Sequence, residues 1–281
     1  MKTVNSLSGG KTSSYIAKHY PADYNVFALV TTSDTNCIFP DQKIRQIVSD
    51  RIGREFIGTL EEDAIIYTML DLEQFIGKEI NWITGDTFDD VIITTKKNTK
   101  YLPNKVARYC TTQLKTVPIL KWVRKNINSD IYMRFGYRAN ETNRAKKMLS
   151  KTDADGFTSV KATFDKDKNG RNIWNVYKYC KPQFPLIEDN IYKDHIEKYW
   201  KDKPVRFAYL NNCVGCYWRS PLLLKKMYNK HPNKMQWFAN QETKNSTWRS
   251  DVRYEDVIKW KTQLELFEDD FNECDSGYCG L

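Results

Sequence analysis

With 281 residues, 41% hydrophobic and 28% charged, the chain has the size and balance of a globular domain, alone or with an appendage, and its eight Trp and seventeen Tyr supply a sizeable core. No apolar run approaches the length of a membrane-spanning helix and MKTVNSLSGG lacks the apolar stretch of a secretory signal, so no membrane partner is expected and the cytoplasm is the expected location. The net charge of +9 favours anionic partners, either nucleotide phosphates or a nucleic acid, although a basic, well-solvated surface has the same balance.

In chain order, Thr3 to Ser8 reads as a short strand and Ser14 to His19 as the opening of a helix that stops before Pro21. Val26 to Thr32 (VFALVTT) is an apolar β-type run, Asp41 to Arg51 a helix, and Glu55 to Ile57 a third strand. Asn81 to Thr84 and Ile131 to Phe135 read as further strands, with Thr111 to Asn126 mostly helical between them and Pro118 tolerated near its start. This alternation predicts a parallel sheet with helices on its faces. Lys151 to Asn172 is rich in Lys, Asp, Gly and Ser, and with its Asn169-Gly170 turn signal it reads as a surface loop or a β-hairpin rather than a domain linker. From about Asn190 the strand signals stop. Tyr192, Ile196, Tyr199 and Trp200 share one helical face, as do Leu223, Leu224, Met227 and Tyr228, and then Val257, Trp260 and Leu264. The expected organisation is an α/β nucleotide-binding domain over residues 1–190 and a helical, Cys-rich subdomain over residues 191–281.

The segment between the first strand and the first helix carries the chemistry. Ser8, Gly9 and Gly10 remove bulk, so that backbone N–H groups can approach an anion. Ser13 and Ser14 offer hydroxyls, the helix N-terminus adds partial positive charge, and Lys11 supplies a cation. A Walker A loop is excluded, because the first Gly that motif requires falls on Asn5. The spacing fits instead the SGGxxS signature of a pyrophosphatase-type phosphate loop, spanning Ser8, Gly9, Gly10, Lys11, Thr12, Ser13 and Ser14.

Four further segments extend this pattern: RYCTTQLKTVPI (Arg108 to Ile119), GYRANETNR (Gly136 to Arg144), NNCVGCYWRS (Asn211 to Ser220) and the tail CDSGYC. With SGGKTSS, they resemble in their order the phosphoadenosine-phosphosulfate (PAPS) reductase-like and adenine-nucleotide alpha-hydrolase-like families, many of whose members are encoded by phages. The resemblance implies an adenine nucleotide (ATP or a PAPS-like molecule) as small-molecule ligand. Lys115, Arg138 and Arg144 offer cations for a second phosphate or a sulfate, and Arg suits bidentate contact with such oxyanions. Glu141 either orients these guanidiniums or makes an ordinary i, i+3 pair with Arg144. Two departures stand out. Thr12 occupies the position where ATP-cleaving relatives carry Asp, which removes a magnesium-holding carboxylate. The tail has Glu273-Cys274 but no His, unlike the catalytic motif of the reductases proper.

The cysteines add a second theme. Cys213 and Cys216 form a CxxC pair, and Cys274 and Cys279 a CxxxxC pair, the spacing of a four-thiolate zinc site. An alternative groups Cys110 with Cys213 and Cys216 around a [4Fe–4S] cluster, and a third reading binds no metal. Cys37 and Cys180 read as buried small hydrophobes and Trp237 as core. His19, His195 and His231 are isolated in sequence. Three functions follow as expectations: an enzyme of sulfur reduction or transfer, or of adenylylation, acting on the nucleotide; a sensor or sequestering protein that binds it without turnover; and a nucleic-acid-modifying enzyme.

Overall fold

In the computed structural model, which describes residues 1–94 and 99–261, the chain opens with strand β1 (Lys2–Leu7), turns through Ser8-Gly9-Gly10 and enters helix α1 (Lys11–His19). Strand β2 (Tyr24–Ala28) then runs parallel to β1, with Val4 opposite Tyr24 and Leu7 opposite Phe27. Helix α2 (Gln42–Ile52) follows, with Asp41 as a side-chain cap accepting from the N–H groups of Lys43 and Ile44 and Gly53 in the left-handed region closing its end. Helix α3 (Ala64–Ile76), strand β3 (Ile80–Ile83), helix α4 (Phe88–Val91) and the short hairpin β4 (Ile93–Thr94) and β5 (Thr99–Lys100) come next. The turn α5 (Tyr109–Thr111) and a π-helical turn at Thr112–Thr116 lead to α6 (Val117–Asn126), whose second residue is Pro118. Strand β6 (Ile131–Arg134), helix α7 (Thr142–Leu149), the hairpin β7 (Ser159–Lys166) and β8 (Asn172–Lys178), strand β9 (Lys181–Gln183) and helices α8 (Pro185–Glu188) and α9 (Lys193–Trp200) follow. Helices α10 (Pro221–Lys230), α11 (Pro232–Gln241) and α12 (Tyr254–Lys259) end the described chain.

The fold is α/β: a five-stranded sheet in the order β3-β2-β1-β6-β9, parallel at every pairing and flanked by helices. Two compact units are built from alternating stretches of chain. The first takes Met1–Ala28, Ile66–Ile83 and Thr116–Phe207; the second takes Leu29–Ile65, Thr84–Lys115 and Ala208 onward. The expected division at residue 190 therefore does not coincide with either unit. Within the first unit, Val4, Val26, Ile131 and Met133 of the sheet pack with Val117, Leu120 and Val123 of α6. Strand β2, buried over most of its length, continues an apolar run of the kind a strand covered on both faces shows. Within the second unit, Phe88, Trp237, Phe238, Trp248 and Tyr254 form an aromatic core, so Trp237 is a packing residue.

Two expectations are corrected. Glu55 to Ile57 forms no strand; the adjacent Gly58 makes only isolated bridges to Thr32 and Ile38, and the third strand of the sheet is Ile80–Ile83. The apolar run Val26 to Thr32 is strand only as far as Ala28, because Leu29 onward belongs to the second unit. Leu264, Cys274 and Cys279 lie outside the described residues. No described helix is long and apolar enough to cross a membrane.

Candidate functional site

The Ser8–Ser14 segment lies at the carboxyl end of β1. The sheet order makes that end a switch point: from β1 the chain proceeds to β2 on one side, and β6 lies on the other. In open α/β sheets the crevice at such a point is where ligands bind. Both unit-one motifs follow the two strands that flank it, SGGKTSS after β1 and GYRANETNR after β6. They also approach one another, since a Cβ placed on Gly136 would lie 3.2 Å from the Thr12 methyl and 3.7 Å from the Ser13 nitrogen.

Within the loop, Gly9 has φ +80°, a conformation that disfavours any side chain. Gly10 is the N-cap of α1 in an ordinary extended conformation, with no side chain to cap the helix. The first N–H groups of a helix have no intrahelical partner, so those of Lys11, Thr12 and Ser13 are positioned for an anion. The Ser13 hydroxyl ties the turn together: it accepts from the Ser8 N–H at 3.2 Å, lies 3.2 Å from the Ser8 hydroxyl and donates to the Gly10 carbonyl at 3.1 Å. Ser14 is fully buried and its hydroxyl has no hydrogen-bond partner among the described residues.

The motif cations of this unit, Lys11, Arg138 and Arg144, are already partnered. Lys11 pairs with Glu197 of α9 and stands over the Phe207 ring, while the Trp200 indole N–H donates to the Lys11 carbonyl at 3.0 Å. Glu141 holds both guanidiniums. It accepts from Arg138 Nε at 3.0 Å and from the Arg138 backbone N–H at 2.9 Å through one oxygen, and from Arg144 through the other. Arg144 also lies 4.2 Å from the centre of the Tyr137 ring, which stacks on Phe184. The i, i+3 pair anticipated for Glu141 and Arg144 is thus present, and Glu141 orients Arg138 as well.

Lys115 belongs to the second unit, where it pairs at 2.8 Å with Glu61, a fully buried carboxylate whose other oxygen has no partner among the described residues. The same unit contains a cavity of about 40 Å³ lined by Cys110, Cys213, Cys216, Lys115, Arg108 and Tyr217 among others. The CxxC turn closes with the Cys216 N–H donating to the Cys213 carbonyl at 3.1 Å. Arg219, almost completely buried, gathers the carbonyls of Asn211 and Cys213, and Arg249 those of Tyr217 and Arg219. Gly215 allows the close approach of the Phe238 ring, 2.3 Å from where a Cβ would stand.

Burial pushes the Cys213 thiol well up; Glu61 adds to the rise and Lys115 opposes it. Burial likewise raises the Cys110 thiol against a contact with the Tyr217 hydroxyl at 3.7 Å. Both thiols are therefore protonated at neutral pH until something draws their protons away. Among the described residues no three His, Cys, Asp or Glu side chains are gathered as a ready metal-ligand group. Cys37 and Cys180 are buried, with thiols pushed up to about 12.

Sequence reasoning missed Glu61, Glu197 and Tyr217. Glu61 leads the Glu-Glu-Asp run before α3, and a carboxylate cluster at a helix start was a readable signal. His231 is 3.2 Å from the Glu62 carboxylate. Burial acts to raise that carboxyl, yet His231 and the Leu210 N–H together hold it below its usual value. His195 accepts from the Tyr192 N–H, and His19 packs between the rings of Tyr15 and Tyr199. No family model, no curated protein and no solved structure matches this chain.

Proposed function

We propose that the chain binds an adenine nucleotide, ATP or a PAPS-like molecule, with its phosphates on the Ser8–Ser14 loop, and that it is an enzyme of sulfur reduction or transfer, or of adenylylation, resembling the PAPS reductases. The observation that carries the reading is the coincidence of two motifs with the switch point: a Ser-Gly-Gly turn into a helix N-terminus after β1, and an Arg-Glu-Arg cluster after β6, with Gly136 against Thr12. Backbone amides and a helix dipole suit a phosphate, and a guanidinium suits a second phosphate or a sulfate. Thr12 favours binding without magnesium-assisted cleavage of the nucleotide, the chemistry of a reductase or of a sensor rather than of an ATP pyrophosphatase. Calorimetric titration with ATP, AMP and PAPS tests the reading. Micromolar binding of at least one supports it, and no heat with any of the three rejects it.

A second reading concerns the thiols. Cys110, Cys213 and Cys216 line one cavity, which favours the set that includes Cys110 as the core of a zinc or iron–sulfur site. Thiolates are the donors such centres take, and a resident metal would supply either a structural anchor or electron transfer. Cys274 and Cys279 remain the proposed partners from the helical, Cys-rich C-terminal part. Metal and sulfide analysis of the purified protein, repeated on Cys110→Ser and on Cys274→Ser/Cys279→Ser, separates the sets: the variant that loses the metal names the ligands.

A further inference from the structure

We propose that the outward face of the β7–β8 hairpin is a docking surface for single-stranded nucleic acid. The hairpin has two unlike faces, because side chains alternate along each strand. On one, Val160 and Ala162 are buried with the sheet core, and Phe164 and Tyr177 lie under Arg124 of α6 at 5.1 and 4.9 Å. This face is packed at the base of the hairpin, while Ile173 nearer the turn is exposed. On the other, the register sets Lys161 opposite Val176, Thr163 opposite Trp174 and, after a register shift, Lys166 opposite Asn172.

Trp174 is 47% exposed and Val176 69%. An indole left in water on a strand forgoes the burial energy that a large aromatic side chain can gain. The cations are placed around it: Lys161 and Lys166 on the same face, and Lys168 and Arg171 in the turn. Two of the nearby carboxylates are engaged. Asp167 accepts from the N–H groups of Asn169 and Arg171 and so builds the turn, and Asp130 pairs with Lys178 at the base of the hairpin; Asp165 is exposed beside the register shift.

An exposed ring flanked by cations matches a base stacked on an aromatic side chain with its phosphates held on either side. Charge complementarity selects this occupant over an apolar protein surface, since a second apolar face would have to leave Lys161 and Lys166 unpaired. A lipid surface is disfavoured by the polar Thr163 and Asn172 that interrupt the apolar pair. The proposal is independent of the phosphate loop.

The test is fluorescence anisotropy with a labelled oligothymidylate of about 12 nucleotides, a length within the range one small domain covers, on the full chain at several salt concentrations. Trp174→Ala is expected to weaken binding by about 5- to 150-fold, the worth of one stacked base, whereas Trp174→Phe retains most of it. Lys161→Glu with Lys166→Glu is expected to lower the slope of log affinity against log salt by about 1.4. Unchanged melting temperature and unchanged calorimetric binding of ATP or PAPS in these variants identify a surface effect. The proposal is overturned by equal affinity in Trp174→Ala, or by equal affinity and equal response to Trp174→Ala with a blunt duplex of the same length. Absence of oligonucleotide binding at low salt also overturns it and leaves this face to a protein or anionic-lipid partner.

Discussion

Gly10→Asp separates the phosphate loop from the fold, because the two respond with opposite signs. Gly10 is the N-cap of α1 with φ −99° and ψ 158°, angles an Asp adopts without strain, and the helix has neither a side-chain cap nor an acidic residue in its first turn. A carboxylate at the N-cap accepts from the N–H groups at the second and third helical positions, here Thr12 and Ser13, and complements the helix dipole. Stability is therefore expected to rise by about 0.5 to 1 kcal/mol, a few tenths from the cap and the rest from the dipole, or roughly 1 to 3 °C in Tm for a chain of this size. The same carboxylate takes the amides a phosphate needs and repels it. One pair of unit charges about 4 Å apart at an effective dielectric of about 20 costs ~4 kcal/mol, close to a thousandfold in Kd. Titration calorimetry with whichever of ATP, AMP or PAPS the native protein binds, beside a thermal melt, reads both effects. Affinity retained within about threefold, in a variant that melts no lower than the native protein, would falsify the claim that phosphates lie on these amides. A clear fall in Tm would refute the cap geometry instead.

Other outcomes follow from the same structure. Glu197→Gln releases Lys11 and should tighten nucleotide binding by about 1.4- to 5-fold, the range of one exposed ion pair, read by the same titration. ATP alone should turn over more slowly than about 1 per second, because Thr12 supplies no carboxylate for magnesium; a faster pyrophosphate release assay without a second substrate contradicts this. Gly215→Ala drives a methyl into the Phe238 ring and should cost about 1 to 3 kcal/mol in a urea melt of the metal-free protein. The Cys37 and Cys180 thiols are raised on folding from 9.0 to about 12, chiefly by burial. Since the folded values are the higher ones, their contribution to stability is whole below about pH 9 and falls as pH rises toward about 12. The urea midpoint should decline across that window, and less steeply in Cys180→Ala.

The parts of the fold that were legible are those whose cause is local. The Ser8–Ser14 turn between strand and helix was visible because a strand, two Gly and a helix start are contiguous, and the hairpin turn because Asn169-Gly170 carries its own signal, with Gly170 at φ +75°. The helix α9 was visible because Tyr192, Ile196, Tyr199 and Trp200 repeat at one helical face. The edge strand β9 escaped notice because it is three residues long with Pro182 at its centre, a residue tolerated only where an N–H is not needed. The interleaving of the two units was not legible either. An apolar run such as VFALVTT looks the same whether its second half continues a strand or enters another core, and here Leu29 and Val30 leave the sheet for the second unit. Cys110 lines one cavity with Cys213 and Cys216 although about a hundred residues separate them in sequence, a sharing that spacing rules, which see only close pairs, do not reveal.

On the proposed nucleotide reading, the ion pairs weigh which arginine would meet the ligand. Sequence position favoured Arg138, directly behind a strand end. Arg138 is only 5% exposed, and its Nε and backbone N–H both hold one oxygen of Glu141, itself 9% exposed. Pulling Arg138 toward a phosphate would weaken the hold on a buried carboxylate, and breaking a buried pair costs about 3 to 5 kcal/mol. That exceeds what one charge-assisted hydrogen bond to the ligand returns, about 1.5 to 3 kcal/mol. Arg144 holds the other oxygen, retains 20% side-chain exposure and is already set by the Tyr137 ring. Two guanidiniums on one carboxylate leave a net positive charge in the segment after β6, and the more exposed of them carries it outward. We infer that Arg138 fixes Glu141 and that Glu141 in turn presents Arg144 to the anion. On this argument Arg144→Ala weakens nucleotide binding with the fold intact, whereas Arg138→Ala lowers the melting temperature first; a titration and a melt on each variant distinguish this order from its reverse.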